Sequence, residues 1–272
     1  MSGVAGGSRI EKRDVQGTFD KYVKDILEKI PGFKKASLSG SVKTGTKPDY
    51  GDLDLITWFE GKDKREVKQR IIEIIKAQPD SVIVPFKSEK YVGKKYYNSG
   101  EIITNLFPIE GKQGQYIQVD NIIALTEEEH GFKNNFLDLP AEKQGLILGL
   151  VKVVLLEKDP QQVFNTLGIE KLPSLVEDEE FEFNLSSGKL TLRKVKLKDF
   201  KTIKKEEIWS STNWQDIETL LTEIGINAKG TFNELLKDIK TKLKHPRSKN
   251  RIRGIFNSMI SVKSGEVGTA KG

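Results

Sequence analysis

Two aspartates placed two residues apart in an apolar run constrain the fold of this chain more than any other feature. Asp52 and Asp54 open the segment 52–59, whose remaining residues are apolar apart from one threonine. Successive side chains of a β-strand point to opposite faces, so both carboxylates would project from one face and Leu53 and Leu55 from the other. The pattern predicts a strand that buries one face and carries two acids on the opposite face.

A Gly-Ser pair precedes that strand. Gly40 and Ser41 follow a strand predicted at 35–39, and ten residues separate Ser41 from Asp52. A turn of this kind that leads into a helix offers backbone N–H groups and a hydroxyl to a phosphate. Carboxylates on a rigid strand offer oxygen ligands, which magnesium prefers. Together the two elements predict a site for a metal ion and a nucleotide.

The same segment begins like a Walker P-loop. That loop ends in Gly-Lys followed by Ser or Thr, whereas Gly45 is followed by Thr46, Lys47 and Pro48. Proline also opposes a helix that begins there and continues through the lysine. The P-loop interpretation is therefore disfavoured.

The combination of an apolar residue, Gly-Ser, a spacer and Asp-x-Asp between apolar residues resembles the signature of the nucleotidyltransferase superfamily. That superfamily includes DNA polymerase β, poly(A) polymerases, CCA-adding enzymes and small adenylyltransferases. In this sequence the pattern is carried by Gly40, Ser41, Asp52 and Asp54. The resemblance covers the N-terminal half of the chain at most.

The resemblance implies a metal-dependent transfer of a nucleoside monophosphate from an NTP to an acceptor hydroxyl. Asp52 and Asp54 would bind two Mg²⁺ ions, for which Mn²⁺ is the alternative. Gly40 and Ser41 would contact the β- and γ-phosphates of the NTP. If the chain is an adenylyltransferase, the expected NTP donor is ATP.

Three further residues are candidates for the same site. The superfamily carries a third catalytic carboxylate on a later strand beside the Asp-x-Asp strand, and by resemblance Asp120 is the best match. It lies in a strand predicted at 115–124, with an ordinary exposed acid as the alternative interpretation. Lys43 and Lys47 would add positive charge near the phosphates, or they are solvated loop lysines.

The order of elements predicts an α+β fold, in which a mixed-sheet nucleotidyltransferase-like domain precedes a mostly helical domain with a β-hairpin. The predicted elements of the first domain are helices at 18–30 and from the capping box Asp63–Glu66 onward, and strands at 35–39, 52–59, 81–86, 101–109 and 115–124. The predicted segments of the chain are a flexible lead-in (1–13), the catalytic domain (14–125), the mostly helical basic domain (126–263) and a flexible tail (264–272).

The second half has a different pattern. Residues 140–156 are nearly all apolar around the helix, which predicts a buried helix. An acidic segment at 176–183 and a basic one at 188–197 predict the two strands of the hairpin, because opposite charges favour cross-strand pairing. Three helices are predicted after residue 213.

Composition excludes several classes of function. The chain has no cysteine and only two histidines, so a thiol nucleophile, a cysteine-based zinc site and a histidine-centred triad are all disfavoured. The longest apolar run, 146–156, is too short to span a bilayer. We therefore expect no membrane association and a cytoplasmic protein. The sequence does not indicate an oligomeric state.

The formal net charge of +6 permits, but does not require, binding to nucleic acid. An RNA or DNA 3′ end is the preferred acceptor. The alternatives are an adenylyltransferase that modifies a protein or small molecule, and an inactive nucleic-acid-binding or assembly protein on the same scaffold. The basic residues singled out for contacts with nucleic acid are Lys94, Lys95, Arg247, Lys249, Arg251 and Arg253.

Overall fold

The computed structural model describes residues 6–45, 47–185, 188–198 and 201–263. The predicted tail at 264–272 lies outside the described residues, as do residues 1–5 of the predicted lead-in. The chain divides into two compact units, Met1–Asp138 and Leu139–Gly272. Helices and strands occur in both, so the α+β class is confirmed.

The elements of the first unit alternate between strands and helices. In chain order they are β1 (Ile10–Glu11), α1 (Lys12–Asp25), β2 (Phe33–Ser39), α2 (Gly40–Thr44), β3 (Asp49–Tyr50), β4 (Asp52–Phe59), α3 (Lys64–Ala77), β5 (Tyr97–Ser99), β6 (Ile102–Pro108), β7 (Tyr116–Ala124) and α4 (Glu127–Leu137), with short 3-10 helices at Leu27–Lys29 and Glu89–Tyr91.

Five of these strands form a mixed sheet with the order β2-β4-β7-β6-β5. The β4–β7 pair is parallel and the other three pairs are antiparallel. A parallel pair needs a crossover connection, and α3 with the β5–β6 hairpin supplies it. The two short strands β1 and β3 pair with each other in a separate two-stranded sheet.

One face of the large sheet packs on the principal core. Leu53 and Leu55 of β4 are completely buried there, together with the apolar stripe of α3. That helix begins at the predicted capping position, where the Asp63 carboxylate accepts a hydrogen bond from the Glu66 N–H. The alternation predicted for β4 is therefore confirmed: Leu53 and Leu55 are buried, while Asp52 and Asp54 on the other face are only partly so.

Residues 81–86 were predicted as a strand, and this prediction is wrong. They make only an isolated bridge, between Val84 and Leu106. Pro85 follows the bridged residue and has no N–H to donate, so the ladder cannot continue through it. Ile83 and Val84 of this segment are buried all the same.

The second unit contains α5 (Ala141–Glu157), α6 (Pro160–Thr166), β8 (Glu179–Leu185), β9 (Leu190–Lys198), β10 (Lys201–Ser211), α7 (Trp214–Glu223), α8 (Phe232–Lys242) and α9 (Pro246–Lys263). The predicted hairpin is present as β8 and β9, and β10 adds a third antiparallel strand. Lys194 of β9 lies 3.5 Å from Glu179 and 3.7 Å from Glu206, as expected for strands of opposite charge.

The buried helix predicted after residue 140 is α5. A side chain at Gly149 would meet Ile255 and Ile252 of α9, so this glycine lets the two helices approach closely. None of the helices in the described ranges combines the length and the apolar character needed to cross a membrane.

A buried lysine joins α4 to the sheet and to α3. The side chain of Lys133 is inaccessible to solvent, and its Nζ lies 2.8 Å from Glu101 and 3.1 Å from Glu129. Lys64 contacts the same two carboxylates at 2.5 Å each, but a quarter of its side chain is exposed. Burial lowers the pKa of Lys133, and its two glutamates oppose that shift.

We expect Lys133→Met to lower the free energy of unfolding by about 3 kcal/mol, because it removes the fully buried cation and leaves Glu101 and Glu129 paired with Lys64 alone. Lys64→Met, whose lysine remains partly in water, should cost less. Urea unfolding of both variants tests this. Equal losses in the two variants would contradict the role given to burial.

Candidate active site

A single row of side chains crosses the five-stranded sheet on the face that carries the aspartates. In the register of the strands, Ser39 lies opposite Asp54, Asp54 opposite Asp120, Asp120 opposite Thr104, and Thr104 opposite Tyr97. Residues directly opposite each other on neighbouring strands project from the same face. The sheet therefore brings Asp54 and Asp120, which are far apart in sequence, to adjacent positions.

Asp54 lies at the centre of this row. Its pKa is raised from 3.8 to about 7, first because the carboxyl is buried and then because Asp52 and Asp120 carry like charges nearby. Within the described ranges, no Lys or Arg lies at ion-pair distance from any of these three aspartates. The described residues thus place no lysine or arginine directly against these aspartates, and the charge of Arg9 acts on Asp52 only from a longer distance.

Asp120 is held in place by two hydrogen bonds. Thr104 Oγ1 donates to Oδ1 at 2.5 Å, and Gln118 Nε2 donates to Oδ2 at 2.9 Å. Burial raises the pKa of Asp120, the two hydrogen bonds oppose that rise, and the charge of Asp52 adds to it. Asp120 is thus fixed in orientation while one edge of the carboxylate row remains partly accessible.

Asp52 begins β4 and lies opposite Gln118 in the register. It is partly exposed, and its charge acts on both of the other aspartates. All three aspartate side chains project from the same face of the sheet. Among the residues that the structure describes, no group of three His, Asp or Glu side chains is already gathered around one point as a metal site would be.

Gly40 lies directly against Asp54. Its φ is +63°, a conformation that side-chain-bearing residues rarely adopt. A Cβ added at this position would lie 2.8 Å from Asp54 Oδ2. Glycine is therefore favoured at position 40 for two separate physical reasons, which are the positive φ of the backbone and the close approach of the Asp54 carboxylate. Ser41 follows as the second residue of α2 and is partly exposed.

The two candidate phosphate-binding lysines have different surroundings. Lys43 donates a hydrogen bond to the Asp138 carboxylate, so its charge is already compensated. Lys47 is exposed and lies close enough to Asp49 to lower the pKa of that aspartate, after the larger effect of Arg9. The ion pair of Lys43 was not foreseen, because nothing in the sequence signals a contact across ninety-five positions.

The residues singled out for contacts with nucleic acid fall in both units. Lys94 and Lys95 follow the 3-10 helix before β5, and Lys95 is engaged with Asp80 at 2.8 Å. The others are exposed on α9 and are Arg247, Lys249, Arg251 and Arg253. Each unit therefore carries part of the predicted basic surface.

Polar residues behind the site were not identified from the sequence. Tyr22 of α1 donates a hydrogen bond to Asn105 Oδ1 at 2.8 Å, and Asn121 Nδ2 donates to the Tyr22 oxygen at 2.8 Å. Burial raises the pKa of Tyr22. Asn105 and Asn121 follow Thr104 and Asp120 in sequence, so this network fixes β6 and β7 from the opposite face. The sequence signal that could have identified Asn105 and Asn121 is that each comes directly after a residue of the carboxylate face, Thr104 or Asp120, and therefore points to the opposite face of its strand.

Comparison with known proteins supplies no family. No protein-family model matches the sequence, and no curated protein matches it. Interpretation of the site therefore rests on the residues themselves.

Gly40→Ala and Gly45→Ala form a matched pair, since both glycines have φ of +63°. Each substitution should cost about 1–2 kcal/mol of unfolding free energy from backbone strain. We expect a further loss only in Gly40→Ala, because only there does the new Cβ crowd Asp54. Urea unfolding measures the difference. Equal losses of unfolding free energy in the two variants would mean that the Asp54 side chain moves away from the new Cβ without energetic cost.

The raised pKa of Asp54 predicts a pH-dependent stability. Between pH 4 and pH 7 the folded protein retains a proton that the unfolded chain has released, so the unfolding free energy falls as pH rises through this window. The fall should amount to roughly a few kcal/mol.

Asp54→Asn should remove this fall, and unfolding measured across the window in both proteins tests it. Asp49→Asn is the control, because the pKa of Asp49 is lowered rather than raised and the fall should persist. The same slope in wild type and Asp54→Asn would contradict the assignment.

Proposed function

We propose that this chain is a metal-dependent nucleotidyltransferase that moves a nucleoside monophosphate from an NTP to an acceptor hydroxyl, releasing pyrophosphate. The observation that carries the proposal is the row formed by Asp54 and Asp120 on adjacent parallel strands, with Asp52 beside them and, in the described part of the chain, no lysine or arginine at ion-pair distance. The resemblance of the Gly-Ser and Asp-x-Asp pattern to that superfamily points to the same chemistry.

The chemistry of the donor set fits a magnesium ion. Carboxylate oxygens are the ligands that hard divalent cations prefer. The pKa of Asp54 is raised first by burial and then by the charges of Asp52 and Asp120, and a bound cation would relieve that repulsion. Asp52, Asp54 and Asp120 would hold two Mg²⁺ ions, with Mn²⁺ as the alternative. When bound, such ions neutralise the phosphate charge and lower the pKa of an attacking hydroxyl.

The protein's own residues contribute mainly positioning. Thr104 and Gln118 hold the Asp120 carboxylate in one orientation, and the rigid sheet fixes its separation from Asp54. Gly40 has no side chain to block the approach of a triphosphate to Asp54. Ser41 follows Gly40 and is partly exposed, Lys47 is exposed, and these are the residues we assign to the phosphates. Holding reacting groups in line in this way supplies much of the catalysis in such transfers.

For the acceptor we propose a hydroxyl at the 3′ end of RNA or DNA. Exposed basic residues occur in both units, and a polyanion binds such residues by releasing counter-ions. Lys95 is excluded from this surface by its ion pair with Asp80, and Lys43 is excluded from the phosphates of the NTP by its ion pair with Asp138.

Incubation with labelled ATP, CTP, GTP or UTP, Mg²⁺ and a mixture of RNA, DNA and protein should place label in the nucleic acid. Asp52→Asn, Asp54→Asn and Asp120→Asn should each lower incorporation at least about a hundredfold, because the charge that binds the metal is lost.

Asp49→Asn provides the control for these variants. Asp49 lies three residues before Asp52, but it pairs with Arg9 at 2.6 Å and is not in the carboxylate row. Transfer should survive its substitution. Retained transfer in Asp54→Asn would overturn the proposal, and label confined to protein would replace the proposed acceptor. Binding of nucleic acid without any incorporation would indicate an inactive scaffold.

A further inference from the structure

A groove lies at the β5 edge of the five-stranded sheet. It has a volume of about 550 Å³, and its wall includes Lys76, Tyr91, Lys94, Tyr96 and Tyr97. We call it the tyrosine groove. Its residues come from the end of α3 and from the segment that leads into β5, so one short stretch of chain supplies most of its surface.

Lysine ammonium groups lie over the tyrosine rings of this groove. Lys76 Nζ is 5.6 Å from the centre of the Tyr96 ring, and Lys94 Nζ is 5.9 Å from that of Tyr91. Lys90 approaches the same Tyr91 ring at 5.3 Å. All three lysines are exposed, and none has a carboxylate within ion-pair distance in the part of the chain that the structure describes.

Lys95 lies in the same wall of the groove but, unlike Lys76 and Lys94, it has a carboxylate partner. Its Nζ is 2.8 Å from Asp80 and also donates a hydrogen bond to the Gln78 carbonyl oxygen. The lining of the groove therefore presents positive charge without a carboxylate partner at Lys76 and Lys94 but not at Lys95.

One residue of the groove, Tyr97, is in register with the carboxylate row. Tyr97 lies opposite Thr104, which lies opposite Asp120, so all three project from one face of the sheet. Neighbouring strands are about 4.8 Å apart, which puts Tyr97 roughly 10 Å from Asp120 across the sheet. Tyr97 also packs against Tyr91, with ring centres 4.7 Å apart.

We infer that the tyrosine groove binds the 3′ segment of a single-stranded nucleic acid whose terminal hydroxyl reaches the carboxylate row. Aromatic rings combined with uncompensated cations are the features that bind single strands, through base stacking and phosphate contacts. The assignment of this strand as the acceptor rests on the proposed nucleotidyl transfer. The binding itself does not.

Two other polyanionic partners fit the lysines less well. An acidic peptide would use the positive charge but has no bases to stack on the rings. An anionic membrane surface would use the lysines together with the exposed Val92, but it gives no reason for Tyr97 to lie in register with Asp120.

Binding can be measured without NTP or divalent metal, from the anisotropy of labelled oligouridylate and oligothymidylate of about 10 nucleotides. We expect full-length Lys76→Gln/Lys94→Gln to lower the slope of log K against log salt by about 0.7 for each lysine. The matched control is Lys24→Gln/Lys29→Gln, two exposed lysines of the same unit that are not in the groove, and its slope should match wild type. Comparison of the two oligonucleotides distinguishes RNA from DNA.

Tyr97→Leu keeps an apolar side chain against Tyr91 and removes the stacking surface, so binding should weaken about tenfold. Thermal unfolding by circular dichroism identifies any variant that loses its fold, and the lysine variants keep the test decisive in that case. Binding by Lys76→Gln/Lys94→Gln that equals its control overturns the inference. So does competition by an acidic peptide or phosphatidylserine vesicles as effective as that by the oligonucleotide.

The two proposals fail in distinguishable ways. Groove-dependent binding with no transfer to any acceptor would reject the proposed chemistry and keep the groove as a nucleic-acid site. Wild-type transfer to oligonucleotides in Tyr97→Leu and in the lysine variant would reject the groove and keep the chemistry.

Discussion

The parallel pairing of β4 with β7 is the constraint on which the rest of the first unit depends. It places Asp54 beside Asp120, on a partly buried surface, where two negative charges repel each other. Such a pair costs stability, so the surrounding structure must hold it. The opposite face of the sheet provides that support: Leu53 and Leu55 are buried in the core, and Tyr22 and Asn121 are hydrogen-bonded to each other.

The loss of stability caused by the repulsion between these carboxylates is concentrated in a few positions. Asp120 is stabilised by hydrogen bonds from Thr104 and Gln118. The pKa of Asp54 rises to about 7 because its carboxyl is buried and lies near the charges of Asp52 and Asp120, and none of the described residues donates a hydrogen bond that offsets these effects. A sequence optimised only for folding would not place an uncompensated acid there. Asp54 is therefore the residue at which stability and the proposed function are most directly opposed.

Local patterns predicted much of the fold. The bounds of β4 follow from its alternation, and the start of α3 follows from its capping box, because both depend on nearby residues alone. The proximity of Asp120 to Asp54 came from a resemblance, and the strand register agrees with it. Elements that depend on distant partners were missed. The strand β10 is polar and strongly charged, so it shows no apolar alternation, and α4 is helical with little amphipathic pattern. The ion pairs of Lys43 and Lys95 join segments that no local rule connects.

The edge strand β5 has a consequence for the behaviour of the whole sheet. An exposed edge offers unpaired backbone groups to any other extended chain, and proteins limit this risk by making such strands short and placing lysines beside them. β5 has only three residues, and Lys94 and Lys95 lie just before it, separated from the strand by Tyr96. The charge of Lys94, which we infer to contact phosphate, thus also opposes the addition of a second copy of the sheet at this edge, so ligand binding and protection of the edge depend on the same side chain.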